Sequence, residues 1–320
     1  MPKYYFIGGE RVRETEEKDF NWLVIDTSET QVIERIIKEY NFPKDIFVGT
    51  SYPEEVSRFE TLSGTTLKQP ISLVLMNLLK EGENIEERLA PISFISSENL
   101  LITCTNENNH FFDRLLEKYG CKIDTFEKLI TYAILDIYSH YVEELKEKKQ
   151  RIDRLDKKAR MTTENKELYR QADLEREIVY IDHTLKDQKS TLELLWQSSQ
   201  FVHRLSDKKL LYDVQLRQRQ TEKMISIYRD LLESIGNLFS GMMDNQLNHL
   251  MKYLDSAALI ISIPAMIAGV WGMNTGGLPG KSSGLGFLLV VLGALIISVA
   301  FGYHLYKKDY SNKQALKIII

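Results

Sequence analysis

The sequence predicts an α+β domain, then long α-helices, then two membrane-spanning helices. Three observations carry that reading. Residues 256–280 and 282–306 contain no Asp, Glu, Lys or Arg, and Lys281 is the only formal charge between Asp255 and Lys307. A bilayer core needs about 20 mostly apolar helical residues, so each stretch is long enough to span. From Cys121 to Ile235 there is no glycine, and from Ile92 to Ile263 no proline. The two commonest helix breakers are thus missing from the middle of the chain. Ahead of it, residues 1–120 hold short β-type runs and an amphipathic helix.

Within residues 1–120, Tyr4–Ile7, Trp22–Ile25, Ile71–Leu75, Ile92–Ile95 and Leu100–Thr105 read as strands. Ser28 followed by Gln31 resembles a capping box opening a helix over Val32, Ile33, Ile36, Ile37 and Tyr40, and Asn41-Phe42-Pro43 ends it. Phe111, Leu115 and Leu116 mark another helix that stops near Gly120. His110 is a surface or structural residue. No phosphate loop or nucleophile elbow appears, and no motif of an enzyme is found.

Residues 121–206 are predicted as long cytoplasmic helices. The apolar stripe Phe126, Ile130, Ala133, Ile137, Tyr141, Leu145, Ile152, Leu155, Ala159 has helical spacing. Thr162–Asn165 and Ser206-Asp207 are turns, and the charged runs Glu143–Arg151 and Arg217–Lys223 are solvated faces. Residues 207–274 form a stalk helix continuous with the first span, at about 256–271. Nothing stops that helix before Pro264, and Gly236 and Gly241 are only soft spots. An outer loop covers 275–285, the second span 286–306, and a basic tail 307–320.

Charge supports this layout. The net charge is −4, but residues 256–320 hold five Lys and one Asp, and the rest holds 36 basic and 44 acidic residues. An acidic body lacks the clustered positive charge that phosphate contact needs, which excludes nucleic acid as a partner. It suits the concentration of cations. Cys104 and Cys121 have no CxxC or Cys/His context, so they read as two reduced, buried thiols. The charged run Arg11, Arg13, Glu14, Glu16, Glu17, Lys18, Asp19 replaces the apolar core of a signal peptide, placing the N-terminal part in the cytoplasm. Lys307, Lys308, Lys313 and Lys317 keep the C-terminus there too. The expected location is the inner or plasma membrane, multi-pass, with only the link around 276–284 outside.

The first span carries Ala257, Ala258, Ser262, Ala265, Ala268 and Gly269. Small residues admit close helix packing or a water-lined path. The second, with Phe287, Leu288, Leu289, Val290 and Val291, is bulkier. That contrast suggests an inner helix and an outer, lipid-facing one. Two helices cannot enclose a pore, so a channel requires a homo-oligomeric ring.

Between the spans, Gly272-Met273-Asn274 follows an aromatic, Trp271. Pro264 lies upstream, Asn248-x-x-Met251-Lys252-x-Leu254 opens the block, and Lys307-Lys308 follows the last span. With these, residues 207–310 resemble the CorA family of divalent-cation transporters. The resemblance implies a funnel-shaped homopentamer in the lipid bilayer, with Gly272, Met273 and Asn274 at the outer mouth. It implies Mg²⁺ as substrate and regulatory ligand, with Co²⁺ or Ni²⁺ also carried. Mg²⁺ dehydrates reluctantly, and a ring of neutral amides meets its waters without holding the ion too tightly to leave. Asn274 is therefore the expected selectivity position; a plain helix cap is the alternative.

The resemblance further carries a pore-lining role onto Asn248, Met251, Leu254, Ser262, Ala265 and Gly269. Met251 and Leu254 form either an apolar gate or ordinary interhelix packing. Asp255 stands where the family often has threonine; it either attracts cations or pairs with Lys252. The loop Gly276-Gly277-Leu278-Pro279-Gly280 is similar to that of the zinc-transporting branch, which leaves a Zn²⁺ transporter as the alternative. Asp213 falls at a position the family uses for a cytoplasmic regulatory metal, with its partner expected from another subunit. A membrane-anchored coiled-coil scaffold is the remaining alternative, and it leaves Gly272-Met273-Asn274 unexplained.

Overall fold

The computed structural model describes residues 2–9, 11–47, 55–80, 82, 84–106, 110–162, 164–273 and 283–319, the last stretch without the side chains of 306 and 308–319. The chain divides into two compact units, Met1–Asn237 and Leu238–Ile320.

The first unit opens with strands β1 Lys3–Phe6, β2 Arg13–Thr15 and β3 Trp22–Asp26, followed by helix α1 Thr30–Tyr40. Next come β4 Arg58–Thr61, β5 Ile71–Leu78, the short α2 Ile85–Arg88, β6 Leu89–Ser96, β7 Leu101–Thr105 and α3 Phe111–Tyr119. The strands make one sheet in the order β2-β1-β3-β7-β6-β5-β4. Only β3 and β7 run parallel, with Trp22 opposite Leu101. The sheet is covered on both sides. Successive strand residues point to opposite faces, so Leu23, Ile25, Ile95 and Ile102 share one core with Ile36 of α1, Phe42, Ile46 and Phe47. On the other face Trp22 and Phe94 meet the ring of Phe112 edge-on, at 5.4 and 5.9 Å between centroids.

Helix α1 starts differently from the sequence expectation. Its N-cap is Glu29, and no side chain caps it. Instead Glu29 Oε2 accepts from the Asp26 amide at 3.0 Å, and Asp26 Oδ1 accepts from the Ser28 amide at 2.9 Å. Two carboxylates tie the turn before the helix, so Ser28 is not the capping residue. At the other end Asn41 takes the left-handed conformation, φ 54°, and returns its amide to the Ile37 carbonyl. Asparagine tolerates that conformation, and Pro43 cannot continue a helix.

The long helices are α4 Phe126–Ala159, α5 Asn165–Gln197, the short α6 Ser199–Leu205, and α7 Lys208–Trp271. The Thr125 hydroxyl caps α4 by accepting from the Lys128 amide. Tyr141 of α4 donates its hydroxyl to the Met76 carbonyl at 3.0 Å, and Gln188 of α5 accepts from the Met76 amide at 2.8 Å. Both helices are thereby fixed to β5. Thr191 adds a bond to the Ser57 carbonyl at 2.8 Å.

The charged run Glu143–Arg151 is not wholly solvated. Glu144 and Lys148 are only 6% and 4% exposed. Their spacing of four puts both on the stripe that faces α2 and α5. Arg88 grips Glu144 with both guanidinium nitrogens, and Lys148 bridges Glu144 and Glu177 at 2.7 Å each. Burial works to raise the Glu144 carboxyl, but the bonds from Arg88 and Lys148 outweigh it and hold it below the usual range. The thiols also differ from expectation: Cys104 is buried, whereas Cys121 is exposed and accepts from Arg11 Nε at 3.3 Å. Cys121 lies in the short 3-10 turn after α3, outside the sheet core.

The second unit contains the C-terminal part of α7 and helix α8, Gly284–Ile319. Each of the two helices includes a segment long and apolar enough to cross a membrane. The backbone of α8 stays helical to Ile319, well past the expected end of the span at 306.

Candidate functional site

Helix α7 has 64 residues and contains Pro264. At 1.5 Å per residue it is about 95 Å long. Pro264 lacks an amide proton, so the Ile260 carbonyl has no partner four residues on. After Trp271 the Gly272 amide still donates to the Ala268 carbonyl at 2.8 Å, and the Met273 amide to Val270 at 3.3 Å. A Cβ on Gly272 would sit 3.1 Å from the Ala268 oxygen. Glycine at 272 therefore allows a close backbone approach at the helix end.

Between residues 243 and 273 the only covered positions are Ser256, Ala257, Ile260, Ile263, Pro264, Ile267 and Trp271, each in part. At about 100° per residue they occupy an arc of roughly 120° on α7. This is the face against α8. Ile260 lies against Gly302, where a Cβ would meet its Cδ1 at 3.4 Å. Pro264, Ile267 and Trp271 face Phe287, Val291 and Ala294 across an apolar cavity of about 480 Å³. On α8, Ala294, Ser298 and Gly302 are four residues apart. Ala294 and Ser298 are buried, and the Ser298 hydroxyl is spent on the Ala294 carbonyl at 2.9 Å. This small-residue stripe lets the helices approach closely. The sequence reading missed it, although the four-residue spacing was there to be read.

Asn248, Met251, Leu254, Asp255, Ser262, Ala265, Gly269, Gly272 and Met273 are all exposed in the chain. By the same rotation they too fall within about 120°, and the centre of their arc lies opposite the α8 face. Met251 is 60% and Leu254 55% exposed. The Ser262 hydroxyl donates to the Leu259 carbonyl at 2.9 Å, which leaves its lone pairs outward. Among the described residues no ion pair joins Asp255 to Lys252. Asn274 and the loop 275–282 lie outside the described residues.

Asp213 is half-buried on α7, far along the chain from these positions. Burial pushes the Tyr132 phenol up, and Asp207, Tyr119, Asp124 and Asp213 push it further. Among the described residues no group of three or more His, Cys, Asp or Glu side chains is arranged to hold a metal ion.

A mixed sheet, long helices and two helices long and apolar enough to cross a membrane point to a membrane protein. A family model described as CorA-like Mg2+ transporter protein matches residues 17–308, and the chain belongs to that family. The cobalt/magnesium transport protein CorA of Methanocaldococcus jannaschii is 24% identical over 211 residues, covering 64% of this chain and 67% of that protein. The protein of the same name from Thermotoga maritima is 20% identical over 243 residues, covering 74% and 69%. The complete structure of the Methanocaldococcus jannaschii CorA magnesium transporter superposes with a TM-score of 0.75 at 18% identity, covering 95% of this chain and 96% of that one. The cytoplasmic domain of ZntB from Vibrio parahaemolyticus reaches 0.62 at 10% identity, covering 76% and 98%. These structural likenesses establish a shared fold.

Proposed function

We propose that the chain forms a homopentameric ring that conducts hydrated divalent cations, Mg²⁺ foremost and Co²⁺ or Ni²⁺ with it. One observation carries this reading: α8 covers one side of α7, and the candidate lining residues occupy the opposite, uncovered side. A two-helix unit leaves that side unpaired, and a ring of subunits would turn it inward. The small side chains of Ala265 and Gly269 and the hydroxyl of Ser262 leave width for an ion with its waters. Asn274 receives those waters at the outer mouth, supported by Gly272 and Met273, because amide oxygens bind the hydration shell without stripping it. Asn248 offers a second amide at the inner end, and Asp255 raises the local cation concentration there. Met251 and Leu254 close the path by dewetting. Asp213 contributes to a regulatory cation site between subunits.

In this reading both termini are cytoplasmic, as the lysines after the second span require, and the membrane is the plasma membrane. The glycine- and proline-rich loop form at 276–280 favours Zn²⁺ as the second candidate ion. Native mass measurement in detergent should return five copies. Uptake of Mg²⁺ and Zn²⁺ in parallel into vesicles of the purified protein should favour Mg²⁺. Zn²⁺ flux without Mg²⁺ flux moves the protein to the second reading, and a stable monomer overturns both.

A further inference from the structure

The cavity between α7 and α8 has a direction. Its walls run from Pro264 to Gly272 on α7 and from Leu295 to Phe287 on α8. At 1.5 Å per residue each wall is about 12 Å long. The helices touch at one end and stand apart at the other. At Gly302, away from the loop that joins them, a Cβ would meet Ile260 Cδ1 at 3.4 Å. Nearer the cavity, Ala294 and Ser298 are each 7% exposed. At the loop end Phe287 is 65% and Val291 41% exposed, although both line the cavity. The space is a cleft that closes at depth and opens along Phe287 and Val291.

The second observation is the chemistry of the walls. The described residues that line the cleft carry no charge, and their side chains hold one polar group, the indole N–H of Trp271 at the loop end. A water needs two to four polar partners to stay, so these walls do not hold a water cluster. Close packing fills voids of such size with apolar matter instead. Both walls belong to segments long and apolar enough to cross a membrane. A hydrocarbon core is about 30 Å thick, so one leaflet supplies about 15 Å of chain depth. A cleft about 12 Å deep, running along the helices, lies within that reach. Tryptophan favours the level where chains meet headgroups, and Trp271 marks the open end.

We propose that the cleft binds an acyl chain of a membrane phospholipid from the leaflet on the loop side, the chain lying against Pro264, Ala268 and Val291 and the headgroup at the level of Trp271. Free chains of the bilayer are as apolar as these walls, so the preference for the cleft comes from packing against fixed side chains. The chain sits on the side of α7 opposite the candidate lining residues. It sets the spacing of α8 from α7 without entering the ion path, and it does not depend on which ion is carried.

The full-length protein in vesicles, with part of the phospholipid brominated midway along its chains, tests this by tryptophan fluorescence, since bromine quenches an indole that it touches. Trp22 is fully buried in the sheet core and Trp196 lies on α5, so the change read is that of Trp271. Ala268→Phe fills the cleft and should lose most of the quenching. Leu289→Phe, at a position 62% exposed and outside the cavity lining, should keep it. Native mass measurement in mild detergent gives a second reading: the unaltered protein should retain one phospholipid per chain and Ala268→Phe none. The proposal is overturned if the unaltered protein retains no phospholipid, or if Ala268→Phe leaves the quenching or the retention unchanged. Trp271 shielded from bromine, with no phospholipid retained, would put a second copy of the chain in the cleft instead. None of these readings involves ion flux, so their failure leaves the transport reading standing.

Discussion

Replacing Glu144 by Gln keeps the size of a buried side chain and removes its charge. Lys148 Nζ lies 2.7 Å from Glu144 and 2.7 Å from Glu177. With an effective dielectric constant near 20, one such contact is worth about 6 kcal/mol before desolvation. Most of that is offset by taking the charges out of water, but removing one member of a buried set costs about 3–5 kcal/mol. Lys148 keeps Glu177, so a loss of about 3 kcal/mol is expected, near the lower end of that range. For a unit of this size that lowers the melting temperature by about 6–12 °C. Thermal unfolding of the full chain, followed by the fluorescence of the fully buried Trp22, reads the effect. The pH dependence adds a second test. The Glu144 carboxyl is held below its ordinary 4.5, so its contribution is present above that value and is lost as pH falls through the folded-state value. Glu144→Gln should therefore flatten the acid limb of the stability curve. Replacing Arg88, Glu144 and Lys148 together by leucines should cost less than the single change, because no uncompensated charge remains. A shift under about 2 °C with an unchanged acid limb would refute the reasoning, since it would mean that water already screens the network.

Four further outcomes are expected. Asn274→Ala should nearly abolish divalent-ion uptake while assembly persists, and normal uptake at equal expression would reduce Asn274 to a helix cap. Met251→Ala or Leu254→Gly should raise leak at high internal Mg²⁺ by easing the wetting of a closed pore; a tight pore in both variants would place the gate elsewhere. Gly302→Leu should push α8 off Ile260, where even a Cβ sits at 3.4 Å, and cross-linking of cysteines placed at the facing positions 267 and 294 should fall. Cross-linking that persists at the level of the glycine protein would show that the helices do not depend on that contact. Asp213→Asn should shrink the protection from limited proteolysis that millimolar Mg²⁺ gives relative to chelator, whereas equal protection of both proteins would make Asp213 a solvated acid.

Much of this protein was legible in its sequence because the signals were local and long. The charge-free stretches, the missing helix breakers and the strand runs each depend on neighbours along the chain, and the structure shows the corresponding helices and strands. Strands β2 and β4 escaped notice because they are short and interrupt their β-formers with charged residues such as Glu14 and Glu60. They are strands only because β1 and β5 offer them an edge to pair with. The capping of α1 was misread for a similar reason. Ser28 had the right identity, but the helix starts one residue later, at Thr30 behind Glu29, and the Ser28 amide is itself held by Asp26.

The site divides along the same line. Residue spacing alone determined that Asn248, Met251, Leu254, Ser262, Ala265 and Gly269 share one stripe of α7, since helical rotation follows from position in the chain. Which stripe α8 covers depends on contacts between residues far apart, such as Ile260 with Gly302. The same holds for the network of Arg88, Glu144, Lys148 and Glu177. Read along the chain these are ordinary surface charges, and only the packing of α2 and α5 on α4 takes Glu144 and Lys148 out of water. Periodicity is a property of the covalent chain. Burial is a property of what folds against it, and that was decided by the tertiary structure.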